Sequence, residues 1–128
     1  MSSRLISTIN AAVLLAALAS PVLATPGPCD TAAARDIMAW TLPRAGDHRP
    51  VHVTFPSRAE GVKLPDWLSA KYPDEMTVIL QYEFEQLVVG KDAFEVTVYF
   101  KGQPARLVIP YAVVKAFFDN RVAKCVAG

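Results

Sequence analysis

The sequence predicts a mainly β protein with short flanking helices, folded as a small, strongly bent antiparallel β-barrel or sandwich. After residue 50, several stretches alternate apolar and polar residues with the period of a strand, and short turns containing Gly, Asp or Pro separate them. Such short connections favour antiparallel pairing of neighbouring strands. With 128 residues, 52% of them hydrophobic, the chain is long enough for one compact domain and too short for two.

The first predicted elements are a helix and a strand. Residues 30–40 are rich in Ala and predict a short helix, and residues 51–55 alternate apolar with polar side chains as a strand does. Residues 61–73 contain Gly and Pro between apolar residues. We expect there a short extended piece and a loop that holds Trp67 in place.

The longest strand signal covers residues 76–89. Because this stretch is long for one strand, we expect a bend or bulge near residues 85–86. Residues 90–93 predict a hairpin turn, and further strands are predicted over residues 94–100 and 106–109.

The C-terminal stretch predicts a short helix. Pro110 is suited to the first turn of a helix, where its missing N–H is tolerated. Val113, Val114, Phe117 and Phe118 follow at helical spacing. We therefore expect this helix to cover one end of the core.

Residues 1–24 have the layout of a secretory signal peptide. Arg4 supplies a positive charge, residues 11–19 are wholly apolar, and residues 22–24 end in a small residue suited to cleavage. The apolar run is too short for a stable membrane span. A cleaved segment predicts a periplasmic or secreted protein. The alternatives are a wrongly assigned start codon or an uncleaved helix packed on the domain, and the protein is then cytoplasmic.

This layout divides the chain into the signal peptide, an N-terminal helix and linker over residues 25–50, and a β domain over residues 51–128 that includes the short C-terminal helix. The two cysteines, Cys29 and Cys125, lie near the two ends of the mature chain. In an oxidising compartment such a pair closes as a disulfide, which restricts the unfolded chain over most of its length. The alternative is two unrelated thiols.

Composition and spacing give little support to a metal site, a nucleic-acid site or catalysis. His48 and His52 lie in a turn that leads into a strand, without neighbouring Cys or carboxylate ligands, so we expect no metal and no cofactor. The formal net charge of +1 indicates no basic patch for nucleic acid. The sequence contains no nucleophile elbow, P-loop or dinucleotide fingerprint. We therefore expect that the protein is not an enzyme.

Two groups of side chains on the predicted strands suit more than one role. Glu83 and Glu85 share a strand face at a spacing that could serve glycoside chemistry, although polar alternation alone predicts a solvated face. A set of aromatic residues could form a platform for stacked bases, but the missing basic patch argues against it. The aromatic residues of this set are Tyr82, Phe84, Tyr99 and Phe100.

Residues 54–119 contain a series of motifs in a fixed order. The most specific are Tyr-Pro-Asp-Glu-Met-Thr at residues 72–77 and Ala-Phe-Phe-Asp at residues 116–119. The full set lies at residues 54–55, 58–59, 61–64, 71–81, 84, 87–89, 94–98, 100–102, 106–111 and 116–119. In order and spacing these motifs resemble the SspB family, the stringent starvation protein B adaptors of the ClpXP protease. They are most similar to its alphaproteobacterial branch.

The resemblance implies a strongly bent SspB-like barrel or sandwich with an N-terminal helix through which members of the family dimerise. Family members hold an extended peptide, the degradation tag of stalled proteins, in a groove on the barrel, and a flexible C-terminal tail tethers them to the ClpX unfoldase. Binding an extended segment along strands is a general use of sheet edges. The groove candidates in this sequence are Thr54, Leu80, Gln81, Tyr82, Phe84 and Val108. By alternation, Leu80 and Phe84 suit the core better.

Three features depart from the family pattern. The chain ends shortly after Asp119, so we expect the ClpX tether to be missing. The N-terminal segment predicts export, whereas ClpX acts in the cytosol. Glu83, Glu85 and Gln86 stand where the family branch tends to have Gln, Trp and Asp. Acidic side chains in a groove favour basic or neutral peptides by charge complementarity.

Together these features predict an exported SspB-like module that binds an extended peptide or protein segment without the ClpX tether, as a monomer or a homodimer. One alternative is a cytosolic ClpXP adaptor that delivers tagged substrates, with ClpX as its partner. Another is a structural or assembly protein that dimerises through its edge strands or its helix. We expect neither a nucleic-acid partner nor a stable membrane span.

Overall fold

The computed structural model describes residues 26–127, and the predicted signal peptide lies outside them. The helices are α1 (Ala32–Thr41) and α2 (Asp66–Lys71), with 3₁₀ turns at Leu42–Arg44 and Tyr111–Val113. The strands are β1 (Val51–Pro56), β2 (Glu75–Leu80), β3 (Phe84–Val89), β4 (Ala93–Phe100), β5 (Gln103–Pro110), β6 (Ala116–Asp119) and β7 (Val122–Val126). None of the helices in this part of the chain has the length and apolar character needed to cross a membrane.

The strands form two antiparallel sheets that share one hydrophobic core. The first sheet has the strand order β2-β1-β6-β7, and the second has the order β3-β4-β5. Both sheets are open, so the predicted fold class takes the form of a small β-sandwich rather than a closed barrel. Buried apolar side chains from both sheets and from α1 join in a single cluster. Each large aliphatic side chain in such a cluster contributes about 1.5–3 kcal/mol of burial free energy.

Alternation along β2 determines which of its side chains reach the core. Met76, Val78 and Leu80 are buried, whereas Thr77 and Ile79 point outward and are exposed. The strand therefore covers the core with one face and leaves the other in solvent, as period-2 patterning predicts.

The single strand predicted over residues 76–89 is in fact two strands in different sheets. Residues 81–83 carry the chain from β2, which pairs with β1, to β3, which pairs with β4. The bulge expected near residues 85–86 is present, because the register of β3 against β4 shifts before Val88 and Gln86 has a φ of 52°. The break between the strands is a consequence of tertiary pairing that local alternation does not reveal.

The predicted C-terminal helix is wrong. A single 3₁₀ turn follows Pro110, and β6 and β7 then form a hairpin. Asn120 and Arg121 both have positive φ, 50° and 73°, which suits a two-residue hairpin turn of the favoured twist. Phe117 is fully buried and Phe118 only half-buried, so this stretch follows the period of a strand.

Two short helices flank β1. Helix α1 agrees with the helix predicted over residues 30–40, and the Thr31 hydroxyl caps it by accepting a hydrogen bond from the Ala34 N–H at 3.0 Å. Helix α2 lies where only an extended piece and a loop were predicted. It positions Trp67, whose ring meets that of Phe100 edge-on at a centroid distance of 6.1 Å.

Candidate functional site

A cleft of about 420 Å³ opens where the chain crosses from one sheet to the other. Its walls are residues 77–79 of β2, residues 81–83 of the crossing segment and residues 98–100 of β4. A second cavity of about 390 Å³ adjoins it and shares Tyr82, Glu83 and Tyr99. Because the two cavities share these residues, we refer to them together as the cleft.

The cleft faces the backbone edges of both strands. Because consecutive residues of a strand point to opposite faces, a cavity that touches three in a row lies beside the strand rather than above it. Strand β2 is the outermost strand of its sheet. At the other wall, the pairing of β3 with β4 begins at Phe84 and Val98, so Tyr99 and Phe100 pair with β5 alone.

Two of the other three sheet edges are paired with further chain, whereas the outer edge of β3 has no backbone partner in the described chain. Along β7, the Val126 N–H donates a hydrogen bond to the Gly27 carbonyl at 2.9 Å. Along β5, Lys63 and Val108 exchange two backbone hydrogen bonds of 3.0 Å. Within residues 26–127, no backbone segment pairs with the outer edge of β2.

The β7 side of the four-stranded sheet is fixed by a disulfide and an ion pair. Cys29 and Cys125, each 1% exposed, form a disulfide that ties the N-terminal segment to β7. The Asp119 carboxylate accepts hydrogen bonds of 2.8 and 2.7 Å from the Arg49 guanidinium, and these bonds hold the pKa of Asp119 below its ordinary value. Disulfides persist mainly in oxidising compartments, so the bond points to such a location.

The charged side chains in the wall of the cleft are acidic. Glu83 lines both cavities and Glu85 lines the second, and both carboxylates are exposed. The pKa of the Tyr99 phenol is raised, chiefly because the neighbouring Glu85 carboxylate favours the protonated hydroxyl as a hydrogen-bond donor, and desolvation and the negative charge of Glu85 add to this effect. Among the residues that the structure describes, no Lys or Arg lines either cavity.

Aromatic rings form the apolar part of the cleft. The Phe100 ring contacts the rings of Trp67 and Tyr72, at centroid distances of 6.1 and 6.5 Å. Tyr82, in the crossing segment, keeps 73% of its surface exposed. An aromatic side chain this exposed beside a concave surface is available to contact a ligand.

Several groove candidates from the sequence lie at this cleft. Gln81 and Tyr82 line the first cavity, and Phe84 lines the second. Thr54 lies one strand away on β1, with its hydroxyl oxygen 2.7 Å from that of Thr77, a residue of the cleft wall.

The other two candidates lie elsewhere. Leu80 is fully buried in the core, and Val108 lies on β5 at the bridge to Lys63. Ile79 and Phe100 also line the cleft, although neither was among the groove candidates and Phe100 was named only in the aromatic set. Ile79 is an apolar residue on the exposed face of β2, where alternation favours polar side chains, and this irregularity is the available signal.

The histidines show no arrangement suited to a metal ion. His48 is exposed beside Asp47, at 3.7 Å, and His52 lies on β1. Across residues 26–127, no group of three or more His, Cys, Asp or Glu side chains is placed to hold a metal ion.

The fold and the site define a class: a small, disulfide-linked β-sandwich with a bare strand edge beside an open cleft. The family model described as Stringent starvation protein B matches residues 28–127. The chain belongs to this family, SspB, as the motifs at residues 72–77 and 116–119 predicted. SspB is a family of adaptors for the ClpXP protease and not a family of enzymes. A comparison of the sequence with curated proteins found no significant match.

Proposed function

We propose that this chain is an adaptor-like module that binds an extended protein segment in the cleft between β2 and β4, without catalysing a reaction. The observation that carries the proposal is the contact of the cleft with consecutive residues of both strands. This geometry brings backbone N–H and C=O groups of two strands within reach of a ligand. Family membership supports the proposal, because SspB adaptors act on protein or peptide substrates.

An inserted peptide strand would satisfy the open edge of β2. Backbone hydrogen bonds to a strand edge supply affinity, at a net gain of about 0.5–1.5 kcal/mol each, and pockets for alternate side chains supply specificity. We assign the apolar contacts to Tyr82, Phe84 and Phe100, and a polar contact to Gln81. Thr54 takes a supporting role through its hydrogen bond to Thr77.

The probe for this proposal is a short neutral peptide of alternating Val and Thr with two central Gln residues, amidated at the C-terminus and labelled with fluorescein at the N-terminus. Two further versions carry N-methyl groups on alternate amides, one on the odd and one on the even positions. Because alternate N–H groups of a strand point to opposite sides, each version loses donors on one edge only. Fluorescence anisotropy measures the affinity of all three.

We expect saturable binding of the unmethylated probe. One methylated version should bind at least about tenfold more weakly than the unmethylated probe, which corresponds to the loss of one or two backbone hydrogen bonds. The affinity of the other version should fall much less. Equal affinities of the two methylated versions, both close to that of the unmethylated probe, would refute strand addition. An absence of saturable binding by the unmethylated probe would refute the peptide-binding proposal.

We also propose that the protein acts in the periplasm or outside the cell. The buried disulfide supports an oxidising compartment, and residues 1–24 have the signal-peptide layout. The intact mass of the protein purified from its native cell envelope, with and without reductant, tests this. We expect a chain that starts at Thr25 and gains two hydrogens on reduction. A full-length cytosolic chain with two thiols would contradict export and would favour the ClpXP adaptor, for which a ClpX pulldown is the next experiment.

A second candidate function is assembly of identical chains through β2. An unpaired strand edge is a template for another strand, so the same bare edge supports this candidate. Sedimentation with and without the neutral probe distinguishes the two functions. A mass that does not change on saturation favours the peptide-binding module, whereas a dimer that dissociates as the probe binds favours assembly through β2.

A further inference from the structure

The only charged side chains that line the cleft, among the described residues, are carboxylates, and they affect which bound segment the cleft favours. Glu83 lines both cavities and Glu85 lines the second, while the remaining side chains of the wall are uncharged at neutral pH. Glu85 lies near Tyr99, another residue of this wall. A ligand that enters the cleft therefore passes two carboxylates.

Neighbouring cations do not belong to this wall. Lys101 follows β4 in an exposed turn, and the Lys71 ammonium lies 5.7 Å from the centre of the Tyr72 ring. Arg106 donates a hydrogen bond of 2.7 Å to the Gln86 carbonyl and lies 3.5 Å from the Glu95 carboxylate. Among the described residues, no ion pair neutralises Glu83 or Glu85.

An exposed ring lies beside these carboxylates. Tyr82 is 73% exposed, and the cation–π contacts within residues 26–127 are made at Trp40 and Tyr72. The face of Tyr82 is therefore open to a cation from a ligand. Such a contact at an exposed site raises affinity by about two- to fivefold.

We infer that the cleft selects an extended segment that carries a Lys or Arg side chain, with the charge placed between the carboxylates of Glu83 and Glu85 and the ring of Tyr82. The inference rests on the proposed peptide-binding function and specifies the class of its substrate. An acidic segment is disfavoured at the same position, because like charges repel across the entrance.

The test compares three labelled probes that differ only in their two central residues, which are Lys, Gln or Glu. Each probe is titrated against the intact disulfide-bonded protein and against the double variant Glu83→Gln/Glu85→Gln. The matched control is Glu60→Gln/Asp36→Asn, which removes two exposed acidic charges outside the cleft wall. Near-identical thermal unfolding of the three proteins establishes that each is folded.

On the unaltered protein, we expect the lysine probe to bind about tenfold more tightly than the glutamate probe, a difference of about 1.4 kcal/mol, with the glutamine probe between them. The preference should shrink to about twofold or less in the Glu83→Gln/Glu85→Gln variant and persist in the control. It should also weaken as salt is raised, because exposed charges are screened.

Two failures are distinguishable. If the three probes bind saturably with equal affinity, or if the preference survives in Glu83→Gln/Glu85→Gln, the inference is overturned while the peptide-binding function stands. If no probe binds saturably, the proposed function fails and the inference fails with it.

Discussion

The two outer strands of the four-stranded sheet differ in whether their outer edges are covered by other parts of the chain. Strand β7 carries a backbone hydrogen bond from Val126 to Gly27, the buried Cys29–Cys125 disulfide and contacts with α1. Strand β2 has no backbone partner on its outer side within the described chain, and the cleft opens there. Coverage at β7 contributes to stability, whereas the bare edge of β2 is available for binding.

This difference shows how a small sandwich can keep one edge open without losing its core. An exposed edge is an aggregation hazard, and natural proteins limit it with short strands and charges. Strand β2 spans only Glu75–Leu80 and begins at a Glu whose carboxylate lies 2.6 Å from the Lys115 ammonium. Its buried side chains are anchored in the core, so the open edge does not depend on a partner for its shape.

The largest expected effect on stability comes from removing the disulfide that fixes the N-terminal segment to β7. Replacing both cysteines, Cys29→Ala with Cys125→Ala, should lower the free energy of unfolding by about 2–5 kcal/mol, because the disulfide closes a loop over 96 residues of sequence separation. Urea unfolding measures the change relative to the disulfide-bonded parent protein, and the reduced parent should resemble the variant. Affinity for the neutral probe should not change under conditions where the variant is folded. A loss of less than 1 kcal/mol would contradict this view of β7.

A smaller effect is expected from the ion pair that ties the end of β6 to the segment before β1. Asp119→Asn should cost about 1.5–3 kcal/mol of unfolding free energy, because a buried carboxylate loses its charged hydrogen bonds to Arg49. Asp36→Asn, at an exposed acidic residue of α1, is the control and should change stability by less than about 0.5 kcal/mol.

The same pair gives a pH dependence with a definite sign. The folded protein has a lowered pKa at Asp119, so this contribution is complete above the ordinary carboxyl pKa of about 4 and is lost as pH falls through the lower folded value. The parent protein should therefore lose stability more steeply below about pH 4 than Asp119→Asn does. If the unfolding free energies of the two proteins fall in parallel as the pH is lowered, the pair contributes nothing to acid stability.

The smallest effect on stability is expected at the exposed residues of the two edges. Tyr82→Ala and Val122→Ala remove side chains that are 73% and 57% exposed, so each should change unfolding free energy by about 0.5 kcal/mol or less. Only Tyr82→Ala should weaken binding of the neutral probe, by about fivefold, because Val122 lies on β7. If the two variants bind the neutral probe with equal affinity, Tyr82 is not part of the binding site.

Local sequence patterns predicted α1, β1, the turn before β4, and strands β4 and β5, because each of these elements has its own periodicity or turn residues. The break at residues 81–83 carries neither Gly nor Pro, and it exists because two sheets share this part of the chain. Helical spacing at the C-terminus was misleading, since β1, far away in sequence, pairs with β6. The available local signal there was Asn120, a residue suited to positive φ.

The candidate site was predicted only in part, because local sequence motifs indicate some of its residues and tertiary pairing determines the others. Gln81, Tyr82 and Phe84 belong to the crossing and the start of β3, where the sequence resembles the SspB family. Phe100 reaches the cleft only because β4 extends past its partner β3, which is a matter of register. No spacing along the chain shows which strand will end first.

Amide hydrogen exchange, measured residue by residue with and without saturating neutral probe, tests the central claim most directly. In the protein alone, the outward N–H groups of residues 75–80 should exchange quickly, and those of residues 122–126 that are hydrogen-bonded should exchange slowly. On binding, we predict protection at alternate residues of β2 and no change in β7. Protection at β7, or saturable binding that leaves every amide of β2 unprotected, would contradict the account.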